Sequence, residues 1–239
     1  MMFTRLPWWR IYQPRQEAYC HAVEYWPFVG WLTGGTVAAV YTLALPHFAS
    51  PGIPIVLAIL SRILLTGALH EDGLADFCDG MGGGTSRQRI LQIMKDSHIG
   101  TYGVLGLIVY LMLLYNVLPD MHPLVILLAD VWGKSCASLL VVRLPYARPQ
   151  EEAKTRLVYT PIHPLAHLLR ILLAVAPAYA LCLQAAIPMH IAPWLAALLA
   201  GQLLTLYLRH RIQGYTGDCC GAAFLLCEMA FLLTWGIQI

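Results

Sequence analysis

Charged residues are scarce in this chain. Only 12% of its 239 residues are Asp, Glu, Lys or Arg, whereas 59% are hydrophobic, and the mean hydropathy is +0.63. Soluble domains carry about 25% charged residues, so the composition excludes an ordinary soluble protein and indicates one embedded in a lipid bilayer. The formal net charge is only +2, and we expect no nucleic-acid partner.

Two further patterns are missing. The seven cysteines include the adjacent pair Cys219 and Cys220 but no CxxC spacing, which favours thiols over disulfides and makes a zinc site unexpected. The N-terminal region has no short apolar core followed by a small-residue cleavage site, and it carries Trp8 and Tyr12 among arginines. We interpret residues 1–26 as an interfacial segment and not as a signal peptide.

Apolar runs long enough to span a bilayer, about 20 residues each, occur seven times. They lie at roughly 27–48, 51–69, 99–118, 124–142, 165–187, 191–208 and 219–239. The polar segments between them are short, and no convincing repeat is present. We therefore predict an all-α polytopic membrane protein, one domain over residues 1–239, with a bundle of about seven transmembrane helices.

Lys and Arg are absent from the short loops near 48–51, 119–123 and 188–190. This asymmetry predicts that the N-terminus and the opposite loops, at 70–98, 143–164 and 209–218, face the cytoplasm. We accordingly expect a multi-pass protein of the cell (inner) membrane. The basic residues on the predicted cytoplasmic side are Arg5, Arg10, Arg15, Arg87, Arg89, Lys95, Arg143, Arg148, Lys154, Arg156, Arg209 and Arg211.

The stretch HEDGLADFCDG, residues 70–80, places four carboxylates within nine positions. If residues 72–83 are helical, at about 100° per residue, then Asp72, Asp76 and Asp79 share one narrow face. Like charges on one face repel unless a cation occupies it, and oxygen ligands of this kind suit Mg²⁺. The alternative is that these carboxylates simply cover a solvated helix.

The surroundings of this stretch favour a phosphate ligand. Gly73, Gly80 and the glycines at 82–84 leave room for a bulky group to approach the backbone. The following segment, TSRQRILQIMKDSHIGTYG, adds Arg87, Arg89 and Lys95, with Asp96 just before the next span. This mixture of acidic and basic residues is what metal-assisted phosphoryl transfer requires.

Charged residues also occur inside the predicted spans. Arg62, Lys134 and Glu228 each lie eight to ten residues from the cytoplasmic ends, roughly 12–15 Å deep, which suggests one shared polar cavity. Asp130 and Lys134 have i, i+4 spacing and would also satisfy each other as a purely structural pair. His70 is a candidate general base, but on a continuous helix it points about 160° away from Asp72.

Three segments together resemble the cobalamin synthase family, the adenosylcobinamide-GDP ribazoletransferases. They are GALHEDGLADFCDG at 67–80, IMKDSHIGTYG at 93–103 and GYTGDCCGAAFLLCEMAF at 214–231. The resemblance extends from TRLP at 4–7 almost to the C-terminus. It implies a membrane enzyme that uses Mg²⁺ to join adenosylcobinamide-GDP to α-ribazole or its 5′-phosphate, with release of GMP.

The resemblance also implies roles for individual residues. Glu71 is left out because the family usually has an apolar residue there, while GGGTS at 82–86 and Lys134, where Arg is common, depart from the pattern on the phosphate side. The metal ligands would be Asp72, Asp76, Asp79 and Asp96, and the catalytic residues His70, Asp79 and Lys95. The substrate-binding residues would be Gly80, Asp218 and Glu228. The charge pattern described above adds Arg62, Arg87, Arg89 and Lys134 to the predicted substrate-binding residues.

Several questions stay open at this level. DFCDG with Asp96 is also similar to the CDP-alcohol phosphotransferase motif, so a phospholipid synthase is one rival. A transporter, with the intramembrane charges forming an ion pathway, is another. The general base is His70, an aspartate or water, and the number of metal ions and the formation of a homo-oligomer are undecided.

Overall fold

The computed structural model describes residues 2–148, 159–160 and 162–237. The predicted cytoplasmic residues Lys154 and Arg156 lie outside this range. Short 3₁₀ turns flank several of the α-helices. The α-helices are α1 (Gln16–Tyr19), α2 (Trp26–Ala44), α3 (Gly52–Thr66), α4 (Leu69–Gly83), α5 (Arg87–Lys95), α6 (Thr101–Val117), α7 (Pro123–Arg143), α8 (Pro164–Gln184), α9 (Ile191–Arg211) and α10 (Gly217–Trp235).

Six of these helices are long and apolar enough to cross a membrane: α2 with its flanking turns, α6 with the turn that follows it, and α7 to α10. Their bounds follow the predicted spans closely, and the prediction of an all-α polytopic bundle is confirmed. A seventh span exists only if α3 and α4, bent by 89° at a short break, are counted as one broken span. The predicted continuous span at 51–69 therefore ends early, at Thr66.

The break between α3 and α4 has a local cause. Gly67 and Ala68 both adopt positive φ, 68° and 59°, in the left-handed region that ends helices. A side chain at Gly67 would collide with Arg5. Helix α4 therefore starts in a new direction at Leu69 and packs against α10 and α6 as part of the bundle.

Helices α7 and α10 form the centre of the bundle, with α2 against α7. Small residues permit these close approaches, as is usual between membrane helices. A Cβ on Gly30 would lie 2.7 Å from Cα of Val131, and one on Gly133 would lie 3.1 Å from the backbone nitrogen of Glu228. The exposed leucines of α6, α8 and α9 form the apolar outer surface.

At one end of the bundle, arginine side chains form hydrogen bonds to backbone oxygens of other polar segments. Arg87 Nε donates a hydrogen bond to Ile212 O (2.8 Å), and its Nη2 donates to Ala147 O (2.7 Å). Arg211 Nη2 donates to Gly84 O (2.8 Å), and Arg148 Nη2 to Leu91 O (2.9 Å). The described parts of the three segments predicted to open on one side of the membrane thus meet.

The N-terminal segment begins inside the protein. Phe3 packs against the core, Thr4 is buried, and Arg5 N donates a hydrogen bond to Leu65 O (2.7 Å). Residues 3–5 thus contact the bundle, and the interfacial interpretation of residues 1–26 stays a prediction. All seven cysteines are free thiols.

Candidate active site

The residues predicted to form one site lie in three neighbouring places. A cavity of about 200 Å³, here called the motif cavity, is lined by residues of the first and third sequence motifs. A groove between α4, α5 and α6, here called the α4–α6 groove, contains residues of the first and second motifs. A buried cluster of charged residues, here called the charge network, lies among the helices.

The motif cavity lies where the N-terminal ends of α4 and α10 meet. Aromatic and aliphatic side chains form much of its wall, together with a few charged groups. Its lining residues are Met2, Phe3, Val23, Trp26, Leu69, His70, Asp72, Tyr146, Arg148, Tyr159, Gly217, Asp218, Cys220 and Gly221. A largely apolar pocket with a few polar groups is typical of small-molecule sites.

Two glycines bring the first and third motifs together. A Cβ on Gly73 would lie 3.0 Å from Asp218 O, and one on Gly221 would lie 3.2 Å from His70 O. Only glycine lets α4 and α10 approach this closely without a shift of the backbone. The close approach brings the start of α10, with Asp218, to the same cavity as Asp72, which is exposed.

His70 lies on α4, because the helix begins at Leu69. The condition under which it would share the aspartate face, a helix starting after it, is not met. Its ring is 1% exposed and stacks on Trp26, with centroids 5.9 Å apart. Both His70 and Asp72 nevertheless line the motif cavity, so His70 remains a candidate base through its place in the wall.

Asp79 holds the start of α6. Its Oδ2 accepts a hydrogen bond from Gly100 N (2.7 Å) and its Oδ1 accepts one from Gly103 N (2.8 Å). A carboxylate at the first turn of a helix satisfies orphan N–H groups and interacts favourably with the helix dipole. A Cβ on Gly100 would lie 2.5 Å from Asp79 Oδ1, which explains the glycines of the second motif.

The four predicted metal ligands do not converge. Asp72 lines the motif cavity, Asp79 and Asp96 line the α4–α6 groove, and Asp76 is half-buried on the helix between them. Within the described residues no three His, Cys, Asp or Glu side chains are grouped as a metal site. Asp72 therefore does not line the same cavity as Asp79 and Asp96, and metal binding by Asp79 and Asp96 stays a prediction.

A smaller metal site does fit the structure. Mg²⁺ bound together with substrate phosphates usually takes only one or two carboxylates, the other ligands being waters and phosphate oxygens. Asp72 and Asp218 provide such a pair of oxygen donors at the motif cavity. Metal binding by Asp72 and Asp76 stays a prediction.

The glycines of the first motif serve helix packing. At each of three glycines a neighbouring side chain occupies the place where a Cβ would be. These neighbours are Met94 of α5 at Gly80, Tyr102 at Gly82 (2.5 Å from its ring) and Ile90 at Gly84. The expectation that these glycines leave room for a ligand is therefore wrong for these three positions, and Gly80 offers no open surface to a substrate.

The basic residues of α5 have different surroundings. Arg87 is engaged by the backbone oxygens of Ile212 and Ala147, whereas Arg89 lines the α4–α6 groove. Lys95 is exposed at the last turn of α5. Among the three basic residues predicted to bind phosphate, Arg87 thus has a structural role, because its guanidinium is hydrogen-bonded to backbone oxygens of two other segments.

Asp96 follows α5 and is exposed. Its Oδ1 lies 2.7 Å from His98 Nδ1 and accepts a hydrogen bond from His98 N (3.1 Å). The hydrogen bond with the His98 side chain lowers the pKa of Asp96, so its carboxylate is charged at neutral pH. It adds negative charge to the α4–α6 groove.

Arg62, Lys134 and Glu228 do meet, as their common depth predicted. Arg62 Nη1 lies 2.6 Å from Glu228 Oε1 and 3.7 Å from Asp130 Oδ2, and its Nη2 donates to Tyr110 Oη (2.5 Å). Lys134 pairs with Asp130, the structural alternative noted from their spacing. These four charged residues and Tyr110 form the charge network.

The residues of the charge network are buried and are separate from the motif cavity. Arg62 is 2% exposed, Lys134 0% and Glu228 1%, and none of them lines the motif cavity. Lys134 also lies over the ring of Phe224, 3.4 Å from its centroid. Charges inside a membrane bundle usually face its interior and pair with one another. The closed and paired geometry seen here favours a structural role over the predicted substrate contacts.

Sequence reasoning missed several residues of the motif cavity. Trp26, Tyr146 and Tyr159 lie in its wall, and Arg148 brings a cationic side chain that is only 7% exposed. In the sequence Arg148 is one of many arginines in the loops, and no pattern marks it as part of the site. Burial raises the pKa of the Tyr159 hydroxyl, so this side chain is uncharged at physiological pH.

Glu71, which the resemblance left out of the site, has a different position from its neighbours. It is 6% exposed, and neither carboxylate oxygen accepts a hydrogen bond within the described part of the chain. It lies on α4 beside Asp72 but is not among the residues that line the motif cavity.

Comparison with known proteins agrees with this arrangement of motifs. The family model described as cobalamin-5-phosphate synthase matches residues 1–236. The chain belongs to this family. Membership identifies it as an enzyme, a membrane transferase of the cobalamin synthase type that acts in cobalamin biosynthesis.

Individual relatives resemble nearly the whole chain, and each is named adenosylcobinamide-GDP ribazoletransferase. The protein of Leptospira interrogans is 34% identical, over 98% of this chain and 91% of its own length. That of Leptothrix cholodnii is 38% identical with the same coverage, and that of Vibrio cholerae is 36% identical, over 97% of this chain and 88% of its own. No solved structure matches the chain significantly.

Proposed function

We propose that this cobalamin synthase family member joins adenosylcobinamide-GDP to α-ribazole or α-ribazole 5′-phosphate, giving adenosylcobalamin or its 5′-phosphate and GMP. The observation that carries the proposal is the motif cavity, whose wall contains both Asp72 of α4 and Asp218 of α10. Its relatives' shared name supports the same substrates.

The reaction exchanges one phosphate bond for another. A hydroxyl of the ribazole ribose forms a bond to the phosphorus on the cobinamide side of the pyrophosphate, and the bond to the GMP oxygen breaks. The hydroxyl proton passes to a base, for which an Asp72 carboxylate oxygen or a His70 ring nitrogen is placed in the cavity wall. Catalysis of this kind depends chiefly on positioning and charge neutralisation.

The charged residues of the cavity would have two different roles, contact with the phosphate groups and binding of the metal. The Arg148 guanidinium provides positive charge for the phosphate groups, and Asp72 and Asp218 would hold Mg²⁺. Bound Mg²⁺ supplies neutralisation of the pyrophosphate and stabilises the departing GMP. The apolar wall excludes water that would otherwise compete with the ribose hydroxyl.

The rival functions have less support in the structure. A transporter would need intramembrane charges along a pathway, yet within the described residues the charge network is closed and internally paired. The likeness to CDP-alcohol phosphotransferases rested on DFCDG with Asp96, and Asp79 of that stretch holds α6. Neither alternative has a specific observation in its favour.

We further propose that the motif cavity opens toward the cytoplasm, at the inner membrane. The polar end of the bundle carries Arg87, Arg148 and Arg211, as the positive-inside rule requires. A membrane-impermeant thiol reagent is expected to reach a cysteine introduced near position 121 in intact cells, and one near position 85 only after permeabilisation. Labelling near position 85 in intact cells would reverse the orientation.

The reaction itself is tested with purified protein in detergent, given adenosylcobinamide-GDP and α-ribazole 5′-phosphate with and without Mg²⁺. We expect the joined corrinoid and GMP only when Mg²⁺ is present. CDP-diacylglycerol with an alcohol acceptor serves as the control for the rival phospholipid synthase. Product formation that survives chelation of all divalent ions would refute the metal part of the proposal.

A further inference from the structure

The wall of the motif cavity contains a stack of aromatic rings, of which the proposed chemistry uses only His70. Phe3 stacks on Trp26 with centroids 5.6 Å apart and planes inclined by 13°. Trp26 in turn stacks on His70 at 5.9 Å and 23°, and Phe224 closes the stack edge-on at 4.8 Å from His70. Phe3 and Trp26 belong to the N-terminal region and to the first turn of α2, outside the three motifs.

The stack carries buried nitrogen atoms whose hydrogen-bonding capacity is not used. Trp26 is 2% exposed and His70 1% exposed. Neither Trp26 Nε1 nor either ring nitrogen of His70 has a hydrogen-bond partner within the described residues. Buried polar groups in native proteins are normally satisfied, so a ligand with a complementary atom would fit here.

The size of the cavity restricts that ligand. Its volume of about 200 Å³ is below the roughly 300–1,000 Å³ of pockets for drug-sized molecules. It accommodates one flat heteroaromatic base and excludes a corrinoid macrocycle. Aromatic walls bind such bases by stacking, and this does not require a set of hydrogen bonds to the base edge.

We propose that the motif cavity binds the benzimidazole base of α-ribazole, with Phe3 and Trp26 as specificity-determining residues. This inference rests on the proposed function and assigns one of its two substrates to a place. Once ribose is attached, the benzimidazole retains a single acceptor nitrogen, which matches the unused N–H of Trp26. Guanine has several edge groups, and the stack offers it too few partners.

The same cavity also contains the charged residues assigned to the reaction, Arg148 and Asp72. A base bound against the aromatic wall would therefore hold its ribose close to the reacting groups. The N-terminal segment thereby contributes to acceptor recognition, because Met2 and Phe3 complete the cavity wall.

The test separates the two substrates kinetically. Trp26→Phe keeps a stacking ring but removes the N–H, and Phe3→Leu removes the outer ring of the stack. Each is expected to raise KM for α-ribazole roughly tenfold, with less than about a twofold change in KM for adenosylcobinamide-GDP. Trp194→Phe, at the start of α9, is the matched control and is expected to change neither KM.

A second measurement uses the unaltered enzyme and does not depend on the folding of any variant. Free 5,6-dimethylbenzimidazole is expected to compete with α-ribazole and not with adenosylcobinamide-GDP. Competition with adenosylcobinamide-GDP, or weaker inhibition by GMP in Trp26→Phe, would show that the cavity binds guanine and would overturn the inference. So would normal turnover with unchanged KM values in both variants, whereas absence of turnover in the unaltered enzyme would instead refute the proposed function.

Discussion

Replacing Arg62 with Met removes a buried cation from between two carboxylates. Arg62 Nη1 is 2.6 Å from Glu228 Oε1 and 3.7 Å from Asp130 Oδ2. Met keeps the apolar stem of the side chain, so the change is mainly one of charge and hydrogen bonding. After the substitution Lys134 is the only cation left in the charge network to face both acids.

The expected loss follows from the burial of the pair. Removing one partner of a buried ion pair costs about 3–5 kcal/mol, because the other charge stays buried without compensation. Scaled for domains of this size, at about 2–4 °C per kcal/mol, this is a fall of roughly 6–20 °C in Tm. Removing both charges is far less costly, so Arg62→Met combined with Glu228→Gln should recover most of the loss.

The assay is thermal unfolding in detergent, measured on the same preparations as kcat/KM. Arg209→Met is the matched control, because Arg209 is exposed and, among the described residues, its side chain donates a single long hydrogen bond, to Arg143 O at 3.5 Å. We expect a large fall in Tm for Arg62→Met, partial recovery in the double variant, and little change for the control. A tenfold loss of kcat/KM at unchanged Tm would refute this reasoning and place the charge network in the substrate chamber.

Three other substitutions and one control separate catalytic from structural parts of the motifs. Asp72→Asn should lower turnover about a hundredfold or more while the protein stays folded, and near-normal turnover would remove Asp72 from the site. Asp79→Asn should cost about 1–3 kcal/mol of stability, because one N–H of α6 loses its acceptor; a hundredfold loss of turnover at full stability would restore it as a metal ligand. Gly221→Val should force α10 away from α4 and lower both stability and turnover, whereas Gly217→Ala, with open space around it, should leave Tm unchanged.

The fold was largely predictable from the sequence because the bilayer imposes one length and one composition on each span. The six long helices follow from that constraint. The break after Thr66 did not, since it depends on the left-handed conformations of Gly67 and Ala68. Ala68 in particular gives no local indication of a positive φ, because only the surrounding packing holds it there.

The motifs of the candidate site were predictable from the sequence. Which of their residues line the cavity and which hold helices together was not. Helical periodicity correctly placed Asp72, Asp76 and Asp79 on one helix, but it could not show that α6 begins against Asp79. Likewise, depth in the membrane brought Arg62 and Glu228 together without showing that they pair. Such distinctions depend on which helices are neighbours, and that information is tertiary.

The aromatic wall of the motif cavity illustrates the same limit. Trp26 and Phe3 stand far from the motifs along the chain, and an aromatic residue near a span end normally indicates a membrane interface. Only the packing of α2 against the start of α4 turns Trp26 toward His70. Arg148 similarly becomes part of the site because the segment that contains it is joined to Tyr215 by backbone hydrogen bonds.

The most direct test measures the amounts of joined corrinoid and of GMP that the enzyme forms, and the rate at which it forms them. The two variants compared are Asp72→Asn and Asp120→Asn. Asp120 is an exposed aspartate in the loop after α6, at the opposite end of the bundle. The account predicts one GMP released for each ribazole joined to the corrinoid, at a normal rate in Asp120→Asn and almost none in Asp72→Asn. GMP release without a joined product, or equal rates in the two variants, would contradict it.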